Sequence, residues 1–282
     1  MTGKHYNPIY ALRNNEVVYI EDVERGLNCN CICPVCGKEL IAKKGDEREH
    51  HFAHRNNSNC KYAYQTSLHL AAKEVLKQEK RIMLPPVVLS FPGSCTSFKI
   101  SDSIMLDIDN VELEKHFGSI IPDVVISKGN KKLFVEIYVT HKVEGDKIAK
   151  IRDAGISTIE VDLSKIDHAV SKVELANIFI KRDVKKKWVY NRKCEEYREK
   201  IFENADKRRI ISRGLAYHVD WCPIQARKWH GKAYANVIDD CWYCKYNVRI
   251  DRNVEDEMEY IYCIGRKRIA EIEDLNRFLQ TK

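Results

Sequence analysis

No apolar run in this chain exceeds a handful of residues, and the amino-terminal MTGKHYNPIY has no apolar centre. A membrane-spanning helix needs about 20 consecutive apolar residues, and a secretory signal needs a hydrophobic core. Neither a membrane span nor secretion is therefore expected, and the expected compartment is the cytoplasm. Low-complexity tracts are also missing, as are internal repeats beyond two Cys-rich ends, so a solenoid or a linker-dominated chain is not expected.

What is present is a chain of 282 residues, 44% hydrophobic and 32% charged. That is enough to bury a substantial core and to divide into more than one unit. A net charge of +7 fits a polyanionic partner. Four of the eleven cysteines form Cys-x2-Cys pairs close to other Cys or His residues. In a reducing compartment such spacing reads as metal ligation rather than as a disulfide framework.

Four stretches are expected: a zinc-binding segment over 1–62, an α/β unit over 63–165, a basic helical region over 166–214, and a zinc-ribbon-like module over 215–282. In the first, Cys33-x2-Cys36 is followed after 17 residues by His54 and after five more by Cys60. The tight Cys-Pro-x-Cys-Gly turn aims two sulfurs at one ion, and His54 and Cys60 complete a tetrahedral zinc set. His51 is the rival to His54 within HHFAH; His50, Cys29 and Cys31 are spare donors. In the last stretch Cys222 and Cys263 flank Cys241-x2-Cys244, with 18 residues in each gap. A ribbon whose flanking strands return the outer cysteines to one ion would make a second zinc site of Cys222, Cys241, Cys244 and Cys263.

Residues 63–79 place Leu68, Ala71, Ala72, Val75 and Leu76 on one helical stripe. Further along, IPDVVISKGNKKLFVEIYVTHK reads as a β-hairpin turning through KGNKK. Strand alternation sets Glu136 and Tyr138 on one face and Val135, Ile137 and Val139 on the other. Pairing across the turn brings Asp123 close to Glu136. Two carboxylates on neighbouring strands repel unless a cation lies between them, and a hard divalent ion such as Mg²⁺ or Mn²⁺ prefers such oxygens.

Pro122-Asp123, twelve further residues, then Glu136-x-Tyr138 resembles the PD-(D/E)xK nuclease motif. Taken in order, CPVCGKELIAKKG, HHFAH, SLHLAAKEVL, IPDVVI, VEIYVTHKVEGDKIAKI and STIEVDLS resemble the competence protein CoiA-like family over roughly residues 25–165. The resemblance implies a PD-(D/E)xK restriction-endonuclease-like core, with a mixed four-stranded sheet and flanking helices. It also implies metal-dependent hydrolysis of nucleic-acid phosphodiesters, with Asp123 and Glu136 as Mg²⁺ ligands. The departure is Tyr138, which stands where the motif has lysine, and a neutral phenol supplies no positive charge to the phosphate. Lys147 in the following helix, or His141 just past the strand, is expected to replace it. Glu74, His69 and Glu114 are further candidates around the metal.

Residues 181–209 carry twelve Lys and Arg against six Asp and Glu. Lys185, Lys186, Lys187 and Trp188 are the expected nucleic-acid contacts, the cations tracking phosphates and the indole stacking on a base. The expected function is that of a metal-dependent DNA endonuclease or nickase in DNA uptake, recombination or defence against foreign DNA. The alternative is a nucleic-acid-binding protein that keeps the nuclease fold without turnover.

Overall fold

The computed structural model describes residues 7–56, 60–140, 143–181, 186–252 and 258–280. They form a mixed α/β structure with several sheets and few helices, in two compact units: 1–85 with 103–190, and 86–102 with 191–282. Compactness thus groups the chain differently from the four expected stretches. Among the described residues no helix is long and apolar enough to cross a membrane.

The first unit opens with β1 (Tyr10–Arg13) and β2 (Glu16–Tyr19), joined through Asn14 and Asn15. Both asparagines adopt left-handed φ, the conformation that matches a two-residue hairpin turn to the twist of its strands. β3 (Gly26–Ile32), β4 (Glu39–Lys43) and β5 (His51–His54) complete an antiparallel sheet of order β2-β1-β3-β4-β5. Helix α1 (Ala63–Glu79) stops at Lys80, whose left-handed backbone lets its N–H cap the Leu76 carbonyl. β6 (Arg81–Leu84) follows, and β7 (Val87–Ser90) and β8 (Ser97–Ser101) then form a hairpin belonging to the second unit. β9 (Ile104–Asp107) returns to pair with β6.

The central sheet is built from β10 (Asn110–Leu113), β11 (Val124–Lys128), β12 (Lys131–Tyr138), β13 (Thr158–Asp162) and β14 (Lys186–Tyr190), in that order. It has five strands where four were expected. Only β12 and β13 run parallel, because α2 (Gly145–Ala154) crosses between them. Strand alternation splits the apolar side chains cleanly. Val124, Ile126, Val135, Ile137, Ile159 and Val161 belong to the same core as Leu68, Ala72 and Leu76 of α1, and Leu175 and Phe179 of α3 (Lys172–Ile180). Val125 and Phe134 pack with Ile151 of α2 in a second cluster. Tyr10, Cys29, Cys31 and Phe52 of the first sheet share the α1 core, so the expected boundary at residue 62 does not divide the packing.

The expected helix over 166–214 needs correction at its centre. Residues 186–190 are the edge strand β14, with Trp188 in register with Ile159. Cross-strand pairing of Trp, Val and Tyr overrides the helical reading of a lysine-rich stretch.

In the second unit α4 (Arg192–Glu203) is followed by two sheets. One has the order β15 (Asp206–Arg209), β21 (Glu259–Cys263), β20 (Asn247–Arg252); the other has β16 (Ile211–Arg213), β17 (Ala216–Asp220), β19 (Lys232–Asn236), β18 (Arg227–Trp229). Helix α5 (Ile272–Gln280) closes the described chain. Phe91 of the β7–β8 hairpin meets Phe98 and Phe202 edge-on, and Phe202 meets Tyr262.

Candidate active site and metal centre

One step beyond the Val124–Val135 pair, the antiparallel register of β11 and β12 sets Asp123 opposite Glu136. The Ile137 N–H donates to Asp123 Oδ2 at 2.8 Å, fixing the carboxylate at the sheet end. His69 Nε2 of α1 donates to the same oxygen at 2.9 Å, and Lys73 Nζ, one turn further along α1, lies 3.5 Å from Oδ1. Lys73 also donates to Glu114 Oε1 at 2.8 Å. Burial alone would raise the Asp123 carboxyl. The hydrogen bond and charge of His69, then Lys73 and the Ile137 N–H, outweigh burial and hold it well below the usual carboxylate range.

Glu136 faces the α2 side of the sheet and is only 3% exposed. Its Oε2 accepts from Lys147 Nζ at 2.6 Å, while its Oε1 is buried with no hydrogen-bond partner among the described residues. Burial, then the neighbouring Asp123 charge, pushes this carboxyl up, against the pull of Lys147. A buried carboxylate without full pairing costs several kcal/mol. Pairing with Lys147, a lysine one-third exposed, offsets only part of that cost. Stability therefore does not account for an acid at this core position. Asp123, Glu136, His69, Tyr138, Lys147 and Lys150 line one cleft of about 610 Å³.

Beside Glu136 in the parallel register of β13 is Glu160, 2% exposed. Lys187 Nζ reaches its Oε1 at 2.9 Å, and the Val143 N–H donates to its Oε2 at 3.2 Å. Sequence reasoning did not single out Glu160, and the signal lay in STIEVDLS, a strand motif that sets Glu160 and Asp162 among apolar neighbours. Lys73, one helical turn from His69, joins the site only through its contact with Asp123, which the packed helix creates.

Among the other expected residues, Glu74 pairs locally with Gln78 and Lys77 and does not line the cleft. Glu114 reaches the site through Lys73. His141 and Lys185 lie outside the described residues. Lys186 and Trp188 do not form the expected free phosphate-and-base surface. Lys186 Nζ donates to the Lys181 carbonyl, and burial lowers its ammonium to about 8. The half-buried Trp188 donates its indole N–H to the Pro85 carbonyl and packs against the main core. Lys187 is turned to Glu160. The cause is the strand geometry of β14, which turns Lys186 and Trp188 to one face of the sheet and Lys187 to the other, toward Glu160.

A second group of donors lies at the end of the first sheet. Cys33 follows β3, and its carbonyl accepts the Gly37 N–H at 2.9 Å, closing a tight turn that carries Cys36. Gly37 takes a left-handed φ of 68°, which favours glycine. β4 pairs Leu40 with His54, carrying the imidazole back to that turn, and Cys60 stands just before α1. The ligand atoms of Cys33, Cys36, His54 and Cys60 all lie within 4.8 Å of one another. Three thiols and one imidazole at this spacing can hold zinc tetrahedrally. Burial pushes the Cys33 thiol up to about 11. At Cys36 a burial penalty is outweighed by the Lys38 N–H and by its neighbours' hydrogen bonds, and the thiol is lowered. Burial and Lys38 lower His54, favouring the neutral imidazole that a metal requires.

The geometry separates the rival donors. His51 pairs with Lys43 at the opposite end of β5 and bonds the Glu49 carbonyl, while His50 bonds Glu21. The Cys29 and Cys31 thiols donate to the Leu40 and Cys29 carbonyls inside the core.

Residues 18–63 match the family model described as Competence protein CoiA, N-terminal domain. The match spans the first sheet from β2 onward and all four clustered ligands. The chain matches no curated protein and no solved structure.

Proposed function

With a CoiA-like amino-terminal domain as the premise, we propose that this protein is a metal-dependent nuclease that hydrolyses DNA phosphodiester bonds in a competence-related process such as DNA uptake or recombination. The observation that carries this reading is the Asp123–Glu136 pair. Two carboxylates face each other across a sheet end in an open cleft, and one buried oxygen, Glu136 Oε1, has no partner among the described residues. An acceptor-only donor set of this kind fits Mg²⁺ or Mn²⁺, which take carboxylate oxygens and retain water. Asp123 and Glu136 would hold the ion, which when bound activates a water and offsets charge on the phosphate.

The chain's own residues supply the rest. Lys147 fills the electrostatic place left by Tyr138: its ammonium, already at Glu136, opens onto the cleft where a phosphoryl oxygen would develop charge. Lys150, one turn from Lys147 and lining the same cleft, adds a cation for the nucleic-acid backbone. His69 and Lys73 orient Asp123 and keep it ionised.

A second reading has an observation of its own. Asp123 Oδ2 already accepts from His69 and Ile137, and Oδ1 faces Lys73. This satisfied carboxylate, together with Tyr138, favours a nucleic-acid-binding protein that keeps the site without turnover.

Incubation of the purified chain with single-stranded, duplex and branched DNA, in Mg²⁺, Mn²⁺ or chelator, separates the two. The nuclease reading expects metal-dependent cleavage that Asp123→Asn and Glu136→Gln each abolish. Binding without cleavage on every substrate establishes the second reading, and cleavage retained by either variant removes that residue from the site.

A further inference from the structure

Four cysteines outside both sites converge in the second unit. Cys222 follows β17, Cys241 and Cys244 occupy the turn between β19 and β20, and Cys263 ends β21. All four are free thiols, and all border one cavity of about 30 Å³, about the volume a single water occupies in the liquid. Their sulfurs are more widely set than those of the Cys33 cluster, the group whose ligand atoms all lie within 4.8 Å among the described residues.

Three features distinguish this arrangement from thiols that merely fill a core. First, two of the sulfurs accept backbone N–H groups from two residues further on: Tyr246 N to Cys244 Sγ at 3.5 Å, and Gly265 N to Cys263 Sγ at 3.4 Å. Such turns present the sulfur to a common centre, and their N–H dipoles favour a thiolate over a thiol. The two turns are tied together where the Ile264 N–H donates to the Tyr246 carbonyl at 3.0 Å.

Second, a Cβ at Gly265 would meet Pro223 Cγ at 3.0 Å and Cys263 Sγ at 3.3 Å, so the loop after Cys222 packs closely onto the Cys263 turn. Third, Arg208 lines the cavity, and its Nε is buried without an acceptor among the described residues. Zn²⁺ with four thiolates carries a net charge of −2, and the Nε–H of Arg208, whose guanidinium also pairs with Asp206 at 3.1 Å, borders the same cavity. Among the described residues the buried apolar cluster around these cysteines holds seven residues, two of them Cys222 and Cys241.

We propose that Cys222, Cys241, Cys244 and Cys263 form a four-thiolate structural zinc site that clamps the two sheets of the second unit to each other. It is independent of any nuclease activity.

The test is elemental analysis of the full chain purified without added metal. Wild type is expected to carry about two zinc ions, and Cys36→Ser and Cys263→Ser about one each. A wild-type content that Cys36→Ser removes entirely overturns the proposal, as does a Cys263→Ser content equal to wild type. Iron in place of zinc overturns the metal assignment.

If Cys263→Ser does not fold, the Cys36→Ser chain loaded with Co²⁺ decides. The charge-transfer and ligand-field bands of a tetrahedral four-thiolate site are expected, and their absence overturns the site. A disulfide within this set, detected by alkylation and mass before reduction, does so equally.

Discussion

Glu136 and Glu160 lie side by side in the parallel register of β12 and β13, both buried, each met by a lysine from a different element. Lys147 comes from the crossover helix and Lys187 from the edge strand. Two adjacent acids in a sheet interior repel, and each lysine relieves only the acid it touches.

Lys147 should act on turnover rather than on binding. Removing a preorganised donor from developing charge commonly lowers kcat by about 100-fold or more. Lys147→Ala is accordingly expected to lose at least about 100-fold in single-turnover cleavage with KM changed little, whereas Lys150→Ala should chiefly raise KM. Equal, small losses in both variants would return Lys147 to the role of a surface cation.

The pH dependence has a definite sign. Burial and Asp123 push Glu136 from its ordinary 4.5 up to about 7, so the folded state holds a proton that the unfolded chain releases earlier. Stability from this group is complete below about pH 4.5 and is lost as pH rises through about 7. In chelator, Glu136→Gln should therefore melt several degrees above wild type at pH 8, with the gap closing by about pH 5. A gap of constant size would contradict the raised carboxyl. Mg²⁺ must displace the same proton, so its affinity should rise about tenfold per pH unit up to about pH 7.

Lys73 is the buried member of a three-residue network, 2% exposed between Glu114 and Asp123. Breaking a buried pair typically costs about 3–5 kcal/mol, and the exposed Glu114 recovers part of that in water. Lys73→Ala should lower unfolding free energy by about 3 kcal/mol in urea titrations, while Lys77→Ala on the outer face stays within about 0.5 kcal/mol. Indistinguishable midpoints would show that Asp123 does not depend on Lys73.

At the amino-terminal Cys33, Cys36, His54 and Cys60 cluster, which can hold zinc, His51 and His54 of HHFAH should part company. His54→Ala is expected to lose that ion and His51→Ala to retain it, measured as zinc per chain. Loss of that ion should also lower thermal stability of the first unit, as structural metal sites in general couple binding to folding.

The parts of the site legible in the sequence were those set by local periodicity. Alternation along β12 set Glu136 and Tyr138 on one face and pairing across the KGNKK turn brought Asp123 close to Glu136, and the Cys33–Cys36 turn was readable because a knuckle is made by a few consecutive residues. The role of Glu160 was not, because it depends on a parallel register that exists only after α2 has crossed the sheet. Trp188 misled for a related reason. A Lys-rich stretch carries weak strand propensity, and pairing of Trp188 with Ile159 decides the matter from 29 residues away. The link between Lys73 and Asp123, 50 residues apart in the chain, likewise needed the packed helix.

The β7–β8 hairpin leaves the ribosome about a hundred residues ahead of α4, the element whose Phe202 covers its Phe91. Until then an aromatic hairpin hangs from a nearly complete first unit with nothing to close over it. Such uncovered apolar surface is an aggregation hazard during synthesis. Truncation after residue 190 makes that hazard permanent, whereas also replacing residues 86–102 with a short polar loop would release the first unit from it.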